Sequence, residues 1–332
     1  MVASTAGARA DSFHLQGCSY VEVSILPSGA LTLPEHLFCA DQHDRSVRNT
    51  VPSLSFLLHH PQSGRRVVFD LGMRRDLNAY PDAIRPHLNT RLPIYNRPDT
   101  SESLRKGGSD PSQIDAVILS HVHYDHVGTP SDFTNAQFIV GHGTRHLLEH
   151  GMNYHSAAHF EKDLLPTDRT IELPLPSQGA KCRRLIENAF PPTKGLEAFQ
   201  PNVDHKWQPL GPFNNAIDVF GDELMYIVDS PGHLPGHLNV AARVSDKEWI
   251  YLAGDACHHP RILDGETDMA TWQENGMDVC IHADKDLAFE TVARIKHVRD
   301  HGLKDQKVEV VLAHDASWLD KHQYAIWPSR YC

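Results

Sequence analysis

The chain has 332 residues, 40% of them hydrophobic, and a formal charge of −11 from 31 basic and 42 acidic side chains. That acidic balance disfavours a polyanion partner, so a nucleic-acid function is not expected. No run approaches the ~20 apolar residues of a membrane span, and the first residues lack the apolar stretch of a secretory signal, so a soluble, cytoplasmic protein with no membrane partner is expected.

Apolar alternation predicts strands over 20–26, 54–59 and 66–70, then over 114–119 and 137–140 beyond a polar helical stretch. Residues 144–150 read as a short helix. The segment 153–211 is broken by Pro166, Pro174, Pro176, Pro191, Pro192, Pro201 and Pro209, which argues against long regular elements. Strands resume over 216–220, 224–229, 238–244, 249–253 and 308–312. A helix over 285–300 places Leu287, Ala288, Val292, Ile295 and Val298 on one broad face, with Gly302 as its C-cap.

Chemistry concentrates at the strand ends. Ser120-His121-Val122-His123-Tyr124-Asp125-His126-Val127-Gly128 packs three histidines and a carboxylate into six positions directly after the apolar run 116–119. Imidazole nitrogen suits Zn(II) and Fe(II), and the lack of thiolate points away from a closed structural zinc site. On a continuing strand His121 and His123 point the same way, whereas Asp125 and His126 need a tight loop to turn them the other way, so one cluster can serve two ions. In a chain with 24 histidines a single one is weak evidence. The case rests on further groups at strand ends: His233 in Pro231-Gly232-His233-Leu234-Pro235-Gly236-His237, Asp255 in Ala253-Gly254-Asp255-Ala256-Cys257, and His314 in Leu312-Ala313-His314-Asp315.

These segments, in this order, resemble the metallo-β-lactamase superfamily over roughly 51–316. The resemblance implies an α+β fold, a four-layer αββα sandwich, expected here as a single domain across 1–332. It implies two Zn(2+) per chain, with iron or manganese as alternatives. His121, His123 and His233 would bind the first, Asp125, His126 and His314 the second, and Asp255 would bridge both. His237 is implied as a supporting residue, and Asp70 as the carboxylate that receives the outer N–H of a ligating histidine. Two close cations bring a bridging water toward ionisation at neutral pH, so that hydroxide attacks a carbonyl carbon while Asp125 carries the proton to the leaving atom.

Asp255 in the bridging position, with Pro-Gly-His-x-Pro-Gly-His, looks most like the quorum-quenching lactonases that open homoserine lactones, so the expected substrate is a small cyclic ester. His258 stands where those lactonases commonly carry Tyr, and is the second catalytic candidate, as a donor to the substrate carbonyl. A lactamase acting on a cyclic amide or carbamate is chemically adjacent. A glyoxalase II-like thioesterase is weaker, because only Lys321, His322 and Arg330 supply basic groups after His314. A one-iron dioxygenase leaves Asp125, His126 and His314 without a task. A non-catalytic metal-binding protein would be expected to have lost ligands, and this chain has lost none.

The proline-rich stretch carries Tyr154, Phe160, Phe190, Phe199, Trp207 and Phe213, and reads as a lid or pocket wall over about 153–211; aromatics folded onto the sandwich are the alternative. Cys18, Cys39, Cys182, Cys257, Cys280 and Cys332 show no paired zinc spacing and no dense framework, as in a reducing compartment. Cys257 is expected to pack as a small apolar side chain, and Trp318 to anchor the core. His142 is placed to face the pocket, while His146, His150, His155 and His159 read as solvated or packing histidines.

Overall fold

The computed structural model describes residues 19–152, 159–176, 206–274 and 276–331. Tyr154, His155, Phe190 and Phe199, and with them most of the expected lid, lie outside these residues, as do Cys18, Cys182 and Cys332. In chain order come strands β1 (Glu22–Leu26), β2 (Ala30–Pro34), β3 (Arg48–Pro52), β4 (Ser55–His60) and β5 (Arg65–Phe69), then helices α1 (Arg85–Asn89) and α2 (Thr100–Lys106). β6 (Ala116–Ile118), β7 (Gln137–Val140), α3 (Thr144–His150) and β8 (Thr170–Glu172) complete the first half. The second half runs β9 (Gln208–Leu210), β10 (Phe213–Asp218), β11 (Met225–Asp229), β12 (Leu238–Arg243), β13 (Glu248–Leu252), α4 (Pro260–Asp264), β14 (Trp272–Glu274), β15 (Met277–Val279), α5 (Lys285–His301), β16 (Lys307–Val311) and α6 (Ala316–Lys321).

Two six-stranded sheets result, ordered β1-β4-β5-β6-β7-β8 and β16-β13-β12-β11-β10-β9. Strand periodicity sorts their side chains into layers. Val23, Ile25, Phe56, Leu58, Val67 and Phe69 meet Ile217, Ile227, Val240, Ile250 and Leu252 between the sheets. Alternate residues Leu26, Leu57, Val68 and Val117 pack outward with Leu104 of α2 and Leu147 of α3. On the opposite outer face Tyr226, Val228, Ala241, Trp249 and Tyr251 pack with α5. The layering is αββα. Parallel pairs β5–β6, β6–β7, β7–β8 and β13–β16 require crossovers, and these carry α1 to α3 and α5. No described helix is long and apolar enough to cross a membrane.

Helix α5 departs from expectation at one position. Leu287 is 39% exposed, and Thr291 takes the buried place, its Oγ1 donating to Pro231 O at 2.7 Å. Ala288, Thr291, Val292 and Ile295 follow the i, i+3, i+4, i+7 spacing of one face, and Leu287 sits one step off it. Gly302, at φ 86, ends the helix as expected, its N–H donating to Val298 O. Strand β10 begins earlier than expected, at Phe213, and it ends earlier, at Asp218, because the Asp218 carboxylate accepts from Gly221 N and Glu223 N, both at 2.9 Å, and closes the turn to β11.

Candidate metal centre

β6 ends at Ile118 and the chain turns at once into the histidine cluster. Asp70, directly after β5 and held at φ 59, fixes that turn. Its Oδ1 accepts from Ser120 N at 2.6 Å and its Oδ2 from Ser120 Oγ at 2.7 Å. The same Oδ2 accepts from His126 Nδ1 at 2.9 Å. With its hydroxyl proton given to Asp70, Ser120 Oγ accepts from His121 Nδ1 at 2.9 Å. His314 Nδ1 donates to Pro52 O at 2.7 Å, and His233 Nδ1 lies 3.3 Å from His282 Nδ1. Each of these rings has Nδ1 engaged and Nε2 turned inward.

The inward atoms form two groups. His123 Nδ1 stands 3.0 Å from Nε2 of both His121 and His233, and Asp255 Oδ2 lies 3.7 and 3.5 Å from those two nitrogens. Asp255 Oδ1 lies 3.2 Å from His126 Nε2 and 3.3 Å from His314 Nε2. Asp125 Oδ2 is 3.6 Å from His314 Nε2. All seven residues are buried except His123, which is half-buried. Hydrogen bonding does not account for this convergence, since among the described residues the buried His126 Nε2 and Asp255 Oδ1 have no partner with hydrogen-bond geometry. A cation about 2.0–2.1 Å from each ligand puts tetrahedral ligand atoms about 3.3 Å apart, which is the spacing seen here. His121, His123, His233 and Asp255 can hold one cation, and Asp125, His126 and His314 another.

The electrostatics suit that task. Burial drives His121 and His233 well below the ordinary imidazole range, so both present lone pairs. Burial opposes charge on Asp255, but His126, His314 and His258 hold its carboxyl well below the usual carboxylate range. Burial also lowers His237 to about 4. As a neutral ring it donates from Nδ1 to Ser230 O at 3.1 Å and accepts the Asp255 N–H on Nε2 at 3.2 Å, so it positions the backbone of Asp255. Gly254, at φ 49, makes this approach possible, since a Cβ there would stand 2.9 Å from Ser120 Cβ and 3.0 Å from His237 Nε2.

His258 is buried, with Nε2 3.0 Å from Asp255 Oδ2 and its ring centroid 4.8 Å from that of Phe38. His282, which the sequence reading missed, is also buried, 5.3 Å from His258 between ring centroids. No motif surrounds it, and only the fold brings it behind His233. The Cys257 thiol is pushed up to about 12 by burial, so it packs as a protonated side chain. Trp318 is buried between the sheets and donates from Nε1 to Glu309 Oε1 at 2.9 Å. His142 does not face the donor groups. Strand β7 ends at Val140, the alternation lapses, and His142 lies 3.8 Å from Glu172 at a separate surface cleft.

An open cleft with about 560 Å³ of free space leads down to His123, Asp125, Asp255 and His314. Leu33, Phe38, Ile84 and Ile281 give it apolar walls, and His87, Arg91 and His159 polar ones. Phe160, from the expected pocket wall, lines it and stacks 6.3 Å from His123. Trp207 and Phe213 instead pack onto the sandwich.

The family model of the metallo-beta-lactamase superfamily matches residues 48–256. The chain belongs to the metallo-beta-lactamase superfamily. Among curated relatives it is 29% identical over 334 aligned residues to the cytochrome P450 monooxygenase mpaDE of Penicillium brevicompactum, a match spanning 94% of this chain but 35% of that protein. The chain thus spans about a third of the length of the first curated relatives it matches. To the gamma-lactamase FDB1 of Fusarium pseudograminearum it is 30% identical over 216 residues, 62% of this chain and 45% of that one. A solved N-acyl homoserine lactone hydrolase, with N-hexanoyl-L-homoserine at its catalytic metal center, shares the superfamily fold with a TM-score of 0.63 and 16% identity, over 94% of this chain and 100% of that chain.

Proposed function

We propose that this superfamily member is a dinuclear, metal-dependent hydrolase, zinc first among the candidate ions, that opens a small cyclic ester. The observation that carries the reading is Asp255, whose two oxygens face different donor groups, Oδ2 toward His121 and His233 and Oδ1 toward His126 and His314. Divalent cations, if bound there, would supply Lewis acidity for activating water and a carbonyl.

The rest of the work falls to the chain. His121, His123, His233 and Asp255 would hold one ion, and Asp125, His126 and His314 the other, with Asp255 facing both groups. Asp70 and Pro52 O keep the rings of His126 and His314 turned inward through their Nδ1 atoms. Asp125 also lines the cleft, where its carboxylate accepts a proton from water and returns it to the leaving oxygen. His258 also lines the cleft, as the candidate donor to the substrate carbonyl, with its Nε2 3.0 Å from Asp255 Oδ2. Apolar walls and a few polar groups suit a small organic substrate.

A γ-lactam is the second reading, favoured by the 30% identity to FDB1. There the nitrogen must be protonated as the C–N bond breaks, so Asp125 carries more of the barrier. The test is acid release from a panel of lactones, lactams, carbamates and thioesters on protein of measured metal content. Lactone turnover with about two metal equivalents per chain is expected, together with a drop of about 10²-fold or more in kcat for Asp125→Asn. A single iron with oxygen consumption, or an untouched panel at full metal loading, would overturn the proposal.

A further inference from the structure

Arg91 has no part in the chemistry above, yet it is a buried cation in the wall of the same cleft. It follows α1, where its N–H donates to Leu88 O at 2.9 Å, and its carbonyl accepts from Thr32 N of β2 at 2.9 Å. These bonds fix the backbone, and the residue is 5% exposed where its side chain lines the cleft. Nearby Arg74 pairs with Glu161, and Arg75 with Asp99 and Asp132. Among the described residues Arg91 forms no ion pair. Its guanidinium lies against the hydroxyl of Tyr124. The carboxylates that line the cleft, Asp125 and Asp255, belong to the donor groups.

A guanidinium buried without a counter-ion is costly, and its planar fork matches a carboxylate bidentately. Leu33, Phe38, Ile84 and Phe160 line the same cleft and give a ring or short chain an apolar place to lie. We propose that Arg91 recognises a carboxylate carried by the substrate itself, on an apolar body that lies between this cation and the bond to be opened. The inference rests on the cleft being the substrate site. It narrows the substrate class to anionic cyclic esters or amides, and makes neutral alkyl lactones the poorer ligands.

The test separates binding from turnover. 4-(Tetrahydrofuran-2-yl)benzoate and its carboxamide contain no scissile ester and differ in charge at one end only. Titration calorimetry on zinc-loaded full chain is expected to show the benzoate binding about tenfold or more tighter than the carboxamide. Arg91→Met should remove that preference by weakening the benzoate far more than the carboxamide, whose remaining binding reports an intact cleft, and Arg91→Lys should keep part of it. Equal binding of the two ligands by the native protein would overturn the inference. So would a preference that survives Arg91→Met, because the carboxylate would then be sitting on the metals. An Arg91-dependent preference in a protein that opens no lactone or lactam would sink the hydrolase reading and leave the anion site standing. Brisk lactone turnover with no charge preference would do the reverse.

Discussion

Asp70 spends two oxygens on three donors, Ser120 N, Ser120 Oγ and His126 Nδ1. An amide there turns one acceptor into a donor and points it at an existing donor. Asp70→Asn is therefore expected to keep the fold but weaken metal binding by about 10–100-fold, read by competition with a chromophoric chelator. Unchanged affinity would mean that His126 needs no orienting partner. That the groups over 121–126 converge was legible from residue type and spacing, and Asp70 was singled out through the superfamily resemblance. Arg91 and His282 were not. Nothing beside them in sequence marks either one, and Arg91 reaches the cleft only because the segment after α1 pairs with β2 through Thr32 N to Arg91 O and Tyr95 N to Ala30 O.

Among elements, α5 and the loop that carries His233 depend on each other. Gly232 sits at φ 129, and a Cβ on it would stand 2.3 Å from Ala288 N and 2.5 Å from Ala288 Cα. Asp284 N donates to Gly232 O and Ala283 N to His233 O, both at 2.9 Å, so the start of α5 is tied to the ligand loop. Gly232→Ala is expected to cost about 1–3 kcal/mol, through backbone strain and overpacking, and to lower metal content with it. Thermal melting and metal analysis check both, with Gly108→Ala as the comparison, since that glycine has a positive φ but open space around it. Strands built on apolar runs, β4, β5 and β11 to β13, were legible. The hairpin β2–β3 was not, because β3 is polar and mostly exposed and its alternation is correspondingly faint. Leu287 was misplaced because it adjoins Ala288 and shares its apolar character, so composition could not tell which of the two faces inward.

At the scale of the molecule, the donor groups come from both sheets: His121 to His126 follow β6, while His233, Asp255 and His314 follow β11, β13 and β16. A cation bound between them would tie the halves together. Free metal at 100 times its Kd adds about 2.7 kcal/mol to the folded state, so chelation is expected to lower Tm by a few degrees in scanning calorimetry. Superimposable melts with and without chelator would show that no metal bridges the halves. The αββα class was legible only through the ordered set of strand-end motifs, since alternation alone does not say which sheet faces which. The wall of the cleft was less legible still: Phe160 lines it while Trp207 and Phe213 pack onto the sandwich, and proline content does not distinguish those fates.

The hydrogen bond from His314 Nδ1 to Pro52 O joins residues 262 positions apart. On a ribosome adding about 5–20 residues per second, the corner between β3 and β4 waits on the order of ten to fifty seconds for that partner. Until His314 is made, Asp125 and His126 exist without the imidazole that completes their group. A metal at that group would therefore be taken up only after His314 has been made, and the ion would have to be at hand from then on rather than while the first half is being synthesised.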